Sequence, residues 1–224
     1  MKNKVICLIS TLCLIVCAFL SCVDYWCFSN SFYKNEYTKL DTANEIGMSQ
    51  DDLDKTTDVL LGYLKDKYSS LDTIAKVEGF TREVFNDREK AHMVDVKNLY
   101  QNVLVVRNIC FVLYLLTFVY ICFSGNTKYI FSSYKKSLAI FGFIIGFILL
   151  FCLIDFDGFW TNFHHIFFPN NDLWLLDPRT DILIMMVPSQ FFFDLCISII
   201  VSIVVFLLGI YLIFKYLDRK LIND

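Results

Sequence analysis

Four long apolar runs dominate this sequence and restrict what it can fold into. They cover residues 5–23, 103–123, 137–154 and 195–214, and Arg107 is the charged residue within them. A helix needs about 20 mostly apolar residues to cross the hydrocarbon core of a bilayer. The chain of 224 residues is 56% hydrophobic and only 19% charged, beyond the usual range of soluble domains. The runs therefore predict an all-α membrane protein with four transmembrane helices and a small extracellular cap.

The charges that flank these runs indicate how the chain is threaded through the membrane. Short cytoplasmic segments are enriched in Lys and Arg, and such residues flank the runs at Lys2, Lys4, Lys128, Lys135, Lys136, Lys215, Arg219 and Lys220. We therefore expect both termini in the cytoplasm. The predicted segments are transmembrane helices over 1–23, 103–123, 137–154 and 194–214, an extracellular cap over 24–102, a cytoplasmic loop over 124–136, an extracellular aromatic-rich loop over 155–193 and a cytoplasmic tail over 215–224.

Small residues within the spans are predicted to serve packing. Of the nine cysteines, only Cys27 lies outside the apolar runs, so no disulfide framework is expected in the outside segments. The others act as small apolar fillers. Gly142 and Gly146 are four residues apart, a spacing that lets a neighbouring helix approach closely.

The sequence lacks the motifs of several enzyme classes that depend on a metal, nucleotide or cofactor. It has no His-Glu-x-x-His zinc pattern, no Gly-x-Ser-x-Gly elbow, no phosphate-cradling glycine loop and no dinucleotide fingerprint. Its formal net charge of −3 does not suit a general nucleic-acid-binding protein. We therefore expect no cofactor, no bound metal and no nucleic-acid partner.

Local patterns predict a mostly helical cap. Ser49 is a plausible N-cap for a helix with leucines on one face, and the loosely alternating residues 74–85 predict a short hairpin. From Asp87 to Phe123 the chain has neither Gly nor Pro, so one helix is expected to start in the cap and enter the membrane. The leucines on the shared face are Leu53, Leu60, Leu61 and Leu64.

The three histidines are all predicted on the outside, close to the bilayer. At about 1.5 Å of rise per residue, His92 lies roughly 16 Å from residue 103 along the long helix. Glu89 and Asp95 flank it three residues before and after, so a carboxylate can hold one ring nitrogen and make the other a better base. The alternative is a solvated helix face that contains a histidine by chance. Of the adjacent pair His164 and His165, at most one is expected to point into a site.

The predicted outer loop is unusually rich in aromatic residues. A membrane-interface belt is one explanation for them, but phenylalanine is not a typical belt residue. We favour a lining that accepts lipid chains, and Pro169, Pro178 and Pro188 predict that the segment is an irregular loop. The aromatic residues are Phe156, Phe159, Trp160, Phe163, Phe167, Phe168 and Trp174.

Two stretches of the sequence carry a resemblance to a known family. The first is REKAHMVDVK at residues 88–97, and the second is FHHIFF at residues 163–168, followed by NDLW at residues 171–174 and by Asp177. Both resemble signatures of the bacterial lipoprotein intramolecular transacylases. The order of helices, cap and loop also agrees, so the resemblance covers essentially the whole chain.

The resemblance implies an activity at the bacterial cell membrane. Such enzymes act on a membrane lipoprotein whose N-terminal cysteine carries a diacylglyceryl group and a free α-amine. They move the sn-2 acyl chain from the glycerol oxygen to that amine and leave a lyso-form lipoprotein. Two catalytic histidines at an extracellular site correspond to His92 and His164, while His165 takes a variable position.

The chemistry of ester aminolysis fits these residues. The α-ammonium has a pKa of about 7.7–8.0, so a histidine can remove its proton near neutral pH. The flanking carboxylates favour His92 as the base, and His164 would then protonate the glycerol oxygen or stabilise the oxyanion. We expect Glu89, Asp95 and Asp172 to support or orient the histidines. The expected substrate lining is Phe159, Trp160, Phe163, Phe167, Phe168 and Trp174.

Two other functions fit the same membrane architecture. One is a metal-dependent membrane hydrolase facing outward, with His92, His164 and Asp172 as ligands. The other is a non-catalytic four-helix sensor or partner subunit whose cap binds protein. Stoichiometric zinc would identify the first, and tolerance of histidine substitutions would identify the second.

Overall fold

Helices make up most of this protein, with one short hairpin among them. The structure is a computed structural model that describes the backbone of residues 2–223 and the side chains of residues 2–220. The helices are α1 (Lys2–Cys27), α2 (Asn30–Lys39), α3 (Thr42–Ile46), α4 (Gln50–Leu64), α5 (Asp87–Phe123), α6 (Ile130–Ile154), α7 (Phe156–Phe167), α8 (Ile182–Met186) and α9 (Ser189–Asn223). The strands are β1 (Ile74–Val77) and β2 (Phe80–Glu83), and a 3₁₀ turn covers Thr127–Tyr129.

Four helical segments are long and apolar enough to cross a membrane. They are Lys2–Cys27, Asp87–Phe123, Thr127–Ile154 and Ser189–Lys220. The prediction of an all-α protein with four transmembrane helices is therefore confirmed. Each helix extends beyond its apolar run at one or both ends, because polar residues can continue a helix where no Gly or Pro interrupts it.

The chain divides into two compact units. The first contains Met1–Tyr25, Val103–Asp155 and Cys196–Asp224, and the second contains Trp26–Asn102 and Phe156–Leu195. The first unit therefore holds the apolar parts of the spanning helices. The second holds the predicted cap together with the aromatic-rich segment, and helix α5 contributes residues to both.

The first unit is held together by a small buried cluster and by polar contacts between its helices. The Tyr134 hydroxyl donates to the Leu207 carbonyl at 2.8 Å, and the hydroxyls of Thr11 and Ser137 lie 2.7 Å apart. In surroundings without water such contacts satisfy groups that lipid could not. The buried cluster consists of Ile15, Ala18, Tyr134, Ile203 and Leu207.

Gly142 and Gly146 do not serve the close helix packing that their spacing predicts. A Cβ atom built on either glycine meets nothing within 4 Å in the described part of the chain. Their neighbours Phe143 and Phe147 are 79% and 69% exposed. This face of α6 is therefore open, and its two glycines are not at a described helix–helix contact.

Aromatic and aliphatic side chains form the core of the second unit. Ring centroids of Tyr33 and Phe191 lie 4.9 Å apart, and the hydroxyl groups of Tyr37 and Thr57 lie 2.9 Å apart. The prediction of Ser49 as the N-cap residue of α4 is confirmed, since its hydroxyl accepts a hydrogen bond from the Asp52 amide. Of the four predicted leucines, Leu53, Leu60 and Leu61 are buried, and Leu64 is partly buried.

The predicted hairpin is also confirmed. Strands β1 and β2 pair antiparallel from Ile74 opposite Glu83 to Val77 opposite Phe80. The two turn residues, Glu78 and Gly79, have φ angles of 51° and 86°. Two consecutive positive φ angles match the right-handed twist of the paired strands, and glycine tolerates them at the second position. The hairpin ends just before α5, whose first turn leads to the candidate site.

The aromatic-rich segment is helical where an irregular loop is predicted. Helix α7 covers Phe156–Phe167, and helix α8 covers Ile182–Met186. The three prolines lie outside both helices, so they delimit helices rather than prevent them. Within α7, apolar residues recur at helical spacing and make one face of the helix aromatic.

Candidate active site

The N-terminus of α5 is fixed by a reciprocal pair of hydrogen bonds. The Asn86 side-chain oxygen accepts from the Glu89 amide at 3.0 Å, and Glu89 Oε2 accepts from the Asn86 amide at 2.7 Å. This arrangement is that of a capping box, in which two otherwise unpaired amides are satisfied at once. It fixes the start of the helix at Asp87, five residues before His92.

Glu89 does not orient His92, contrary to the expectation from its spacing. Its side chain is buried, and its second oxygen, Oε1, accepts from the Leu183 amide at 2.6 Å. Burial raises the pKa of this carboxyl group, while the two backbone amides oppose that shift. Both oxygens thus bind backbone amides, and Glu89 connects the start of α5 to helix α8.

Two further residues of this network were not predicted as site residues. Asn86 donates through Nδ2 to Asp181 Oδ1 at 2.8 Å, and Asp181 is itself buried. Asp181 Oδ2 accepts from the Asp177 amide at 2.8 Å. The Asn-x-x-Glu spacing at residues 86–89 was available in the sequence as a helix-start signal, but the contact with Asp181 depends on the tertiary fold.

His92 lies on α5 with its imidazole buried. The side chain is 6% exposed, and Nδ1 has no hydrogen-bond partner among the residues that the structure describes. Burial lowers the pKa of His92 to about 4, with a smaller contribution from His164 and an opposing one from Asp95. The ring is therefore neutral near pH 7 and carries one nitrogen that protein groups leave unpaired.

His164 lies on α7 and has a fixed tautomer. Its Nδ1 is 2.8 Å from the Trp160 carbonyl oxygen. Because a carbonyl can only accept, Nδ1 must carry the proton and Nε2 the lone pair. Burial lowers the pKa of this histidine, and the hydrogen bond to Trp160 opposes the shift. His164 thus presents a neutral ring with a basic Nε2.

The structure brings the two predicted histidines together. Their ring centroids are 5.9 Å apart, and Phe168 lies with its edge toward His92 at 5.4 Å. His165, by contrast, is exposed, in agreement with the expectation that only one of the adjacent pair points inward. Sequence positions more than 70 residues apart thus meet in one aromatic pocket.

Aromatic rings surround His164 on several sides. The Trp174 ring stacks on it at 4.8 Å with an interplanar angle of 24°, and Trp160 meets it edge-on at 5.0 Å. Phe163 and Phe168 complete the group at 5.5 Å and 5.7 Å. Among the other predicted lining residues, Phe167 contacts Phe163. Phe159 lies further from His164, since it contacts Phe156, which in turn stacks on Trp160.

The Trp174 indole nitrogen is an unusual feature of this pocket. It is buried and has no acceptor among the described residues. A buried donor left unpaired costs about 1–3 kcal/mol, so such groups are rare in folded proteins. The pocket therefore contains two unpaired polar nitrogens, on Trp174 and on His92.

Asp95 and Asp172 hold a loop against α5. Asp95 Oδ2 accepts from Asn171 Nδ2 at 2.9 Å, and Arg88 donates to the Asp172 carbonyl oxygen. The Arg88 guanidinium also pairs with the Asp172 carboxylate at 3.5 Å. We call residues 171–174 the strap, since both contacts fasten them to the helix that carries His92. Asp172 thus pairs with Arg88 and makes no hydrogen bond to either histidine within the described residues.

Two buried, neutral imidazoles in an aromatic surrounding suit proton transfer on a lipid-borne group. His164 presents the lone pair of Nε2, and His92 presents an unpaired Nδ1. Together the two rings can accept and return a proton. Among the residues with described side chains, no group of three or more His, Cys, Asp or Glu is placed to hold a metal ion.

The chain is similar to a known protein family and to solved structures. It matches the family model described as "Lipoprotein intramolecular transacylase Lit" over residues 8–192. Among curated proteins, no sequence matches it. Its fold is similar to that of the membrane-integral lipoprotein intramolecular transacylase Lit from Bacillus cereus, with 22% identity and a TM-score of 0.84, covering 100% of this chain and 99% of that chain.

Two variants of the same Bacillus cereus protein, each with a histidine replaced, have similar structures. The alanine variant is 22% identical with a TM-score of 0.81, covering 100% of this chain and 96% of that chain. The arginine variant is 23% identical with a TM-score of 0.76, covering 99% and 92%. At these identities the structural likeness establishes a shared fold.

Proposed function

The chain belongs to the lipoprotein intramolecular transacylase family, and from this premise we propose the reaction that it catalyses and the residues that carry it out. It is an acyltransferase of the bacterial membrane. The proposed substrate is a membrane lipoprotein with a diacylglyceryl-cysteine at its N-terminus. The enzyme transfers the sn-2 acyl chain to the α-amine of that cysteine and leaves a free hydroxyl on the glycerol.

The proposed reaction is an aminolysis within one molecule. A C–N bond forms between the α-amine and the acyl carbon, a tetrahedral oxyanion results, and the bond to the glycerol oxygen then breaks. One proton moves from the nitrogen to the departing oxygen. This transfer of an acyl group and one proton requires no oxidant, nucleotide or metal. We propose a metal-independent mechanism that uses two histidines.

The observation that supports this mechanism most directly is the pairing of His92 with His164 at 5.9 Å. We assign the base to His164, because its Nδ1–H is held by a carbonyl and its Nε2 is left basic. Glu89 binds backbone amides and therefore does not support His92 as the base. His92, neutral and with an unpaired Nδ1, would face the glycerol oxygen that leaves.

The aromatic surround is proposed to bring the reacting groups together. The cyclic path from the amine to the ester closes slowly in free solution, and a confined apolar site raises the effective concentration of the two ends. Trp160, Phe163, Phe168 and Trp174 contact the His164 ring directly. Phe159 and Phe167 would extend this lining along the acyl chains.

The proposed site faces the extracellular side of the membrane, and both termini lie in the cytoplasm. The support is the distribution of Lys and Arg in the short flanks. A site there would meet a lipoprotein whose lipid-modified N-terminus lies at the outer surface of the membrane. We propose no nucleic-acid partner and no cofactor.

Mass spectrometry of a lipoprotein after co-expression with this chain tests the proposed function. The expected product carries an N-acyl group and a lysoglyceryl thioether. His164→Ala and His92→Ala should each lower its formation by at least about 100-fold, while the exposed neighbour His165→Ala should leave it nearly unchanged. Treatment of the purified enzyme with a chelator should not alter the rate. Full activity of His164→Ala would refute the assignment.

Neither alternative function gains a supporting observation. A metal-dependent hydrolase would use Asp172 as a ligand with both histidines, but this carboxylate pairs with Arg88 and is largely exposed. In a sensor the histidines would have no catalytic role. That function would not explain why two neutral imidazoles lie in one buried pocket. Loss of activity on chelation would favour the hydrolase.

A further inference from the structure

The Trp174 indole N–H is a buried donor that the fold itself does not use. It finds no acceptor in the part of the chain that the structure describes. A phenylalanine could fill the same stacking position against His164 without burying an unpaired donor. The indole at this position is therefore explained by a hydrogen-bond acceptor that binds from outside the protein.

The proposed reaction supplies such an acceptor. When the amine adds to the ester, the carbonyl oxygen becomes a tetrahedral oxyanion, and this charge needs a donor in a site from which water is excluded. Glu89 and Asp181 cannot serve, since both are acceptors already bound to protein groups. Arg88 is directed to Asp172.

We propose that Trp174 is a catalytic residue whose indole N–H donates a hydrogen bond to the oxyanion of the tetrahedral intermediate. The inference rests on the transacylase function proposed above and adds a third catalytic side chain to the two histidines. No covalent bond to Trp174 forms, and its proton stays on the indole nitrogen. His164 and His92 move the proton between substrate nitrogen and oxygen, while Trp174 stabilises the charge that develops beside them.

The position of the indole is consistent with this role. Its ring stacks on His164 at 4.8 Å, so the indole that carries the buried N–H lies against the imidazole that would deprotonate the amine. The strap fixes it there, because Asn171 binds Asp95 and Asp172 binds Arg88 on the same helix as His92. A donor held before the substrate arrives needs no rearrangement during the reaction, which is the property that makes oxyanion donors effective.

Trp174→Phe tests the proposal because it keeps an aromatic ring and removes the N–H. With a synthetic diacylglyceryl-cysteine peptide in detergent micelles, we expect kcat to fall about 100-fold and KM to stay within about twofold. The matched control is Trp26→Phe, which removes an indole from the same unit at a position packed on Phe32 and should leave kcat unchanged. The thermal unfolding midpoint of both variants shows whether they fold.

A second variant removes the N–H with less disturbance of shape. Replacement of Trp174 by the benzothienyl analogue of tryptophan exchanges the indole nitrogen for sulfur, and it should show the same loss of kcat. The shape of the pH profile should not change in either variant, because the donor does not titrate. If Trp174 served only to pack on His164, the analogue would retain wild-type kcat, and this result would overturn the proposal.

The outcome also separates this inference from the proposed function. If the wild-type enzyme yields no N-acyl product, the transacylase assignment itself fails. If the wild type is active and Trp174→Phe raises only KM, Trp174 lines the substrate site and is not an oxyanion donor. The oxyanion role of Trp174 is supported if the variant with the benzothienyl analogue loses kcat while its pH profile stays unchanged.

Discussion

His164 and His92 are both buried imidazoles, but their surroundings give them different capacities. The helix fixes the tautomer of His164 through a carbonyl four residues earlier, so its Nε2 is available as a base. His92 has no such partner at Nδ1. The two rings can thus take complementary parts in one proton transfer without any carboxylate between them.

Burial of His92 predicts a stability that depends on pH. Its folded-state pKa is lowered to about 4, against about 6.5 in an unfolded chain. The unfolded state therefore binds more protons between these values, and stability falls as pH decreases from 6.5 toward 4. The shift corresponds to on the order of 3 kcal/mol. Thermal unfolding midpoints measured across this range should fall less steeply for His92→Gln than for the wild type.

The exposed residue His165 supplies the control for this measurement. His165→Gln should keep the wild-type dependence on pH, because this side chain is exposed and lies outside the buried environment of His92. An unchanged slope in His92→Gln would show that His92 is not the group responsible.

Glu89 is expected to matter for stability through its two backbone contacts. Glu89→Gln replaces one acceptor oxygen by an amide NH₂, which would face a backbone N–H and leave it unpaired. We expect a loss of about 1–3 kcal/mol, measured as a lower unfolding midpoint, whereas Glu45→Gln on the exposed face of α3 should have no effect. Equal midpoints for both variants would contradict the network that joins α5 to α8.

At the scale of elements, the site depends on three segments that approach from different parts of the second unit. Helix α5 provides His92, α7 provides His164, and the strap provides Trp174. The strap is fastened by contacts to Arg88 and Asp95 on α5. Exposed polar contacts of this kind are individually weak, so the strap holds Trp174 in place through the two contacts together.

Loosening the strap should reduce catalysis more than stability. We expect the double variant Arg88→Ala, Asn171→Ala to lower kcat about tenfold, because Trp174 is then less firmly held on His164. Its unfolding midpoint should change little, as expected for exposed pairs. The exposed pair of Lys55 with Asp51 on α4 offers the control Lys55→Ala, and kinetics on the synthetic peptide provide the measurement. A kcat equal to that of the control would show that the strap does not position Trp174.

Much of the architecture could be predicted from local sequence, because spans, caps and turns are local events. Ser49 as a cap, the hairpin before α5 and α5 itself all follow from neighbouring residues. The helical spacing of Phe156, Trp160 and Phe163 is also present in the sequence, and the prolines beyond it delimit helices instead of preventing them. The partners of Glu89 and the orphan nitrogen of Trp174 could not be predicted, since they depend on residues that only the tertiary fold brings near.

At the scale of the whole molecule, the chain separates a unit of apolar helices from a unit that contains the site. In the first unit the Arg107 guanidinium pairs with Asp24 at 2.8 Å, so the charge within the second apolar run has a partner. A charge in a spanning helix is tolerated only when it is paired or reaches water. The composition of this unit follows from the bilayer, and the chemistry is concentrated in the other.

The proposed orientation can be checked with reporter fusions. Green fluorescent protein joined after the C-terminal tail should fluoresce, whereas alkaline phosphatase at the same position should be inactive, because that enzyme needs an oxidising compartment. The reverse pattern would place the tail outside. Removal of the charges at Lys215, Arg219 and Lys220 should increase the fraction of inverted molecules.

The hydrogen bond between His164 and its own helix has a consequence for the timing of the reaction. Because a carbonyl rather than a carboxylate supports the ring, the imidazolium that the proposed mechanism forms on His164 is not stabilised by a charged partner at Nδ1. In the proposed mechanism this proton is held only briefly before the two histidines deliver it to the glycerol oxygen within the same turnover. The resting site would then be regenerated without exchange with bulk water, an advantage where the substrate is buried among acyl chains.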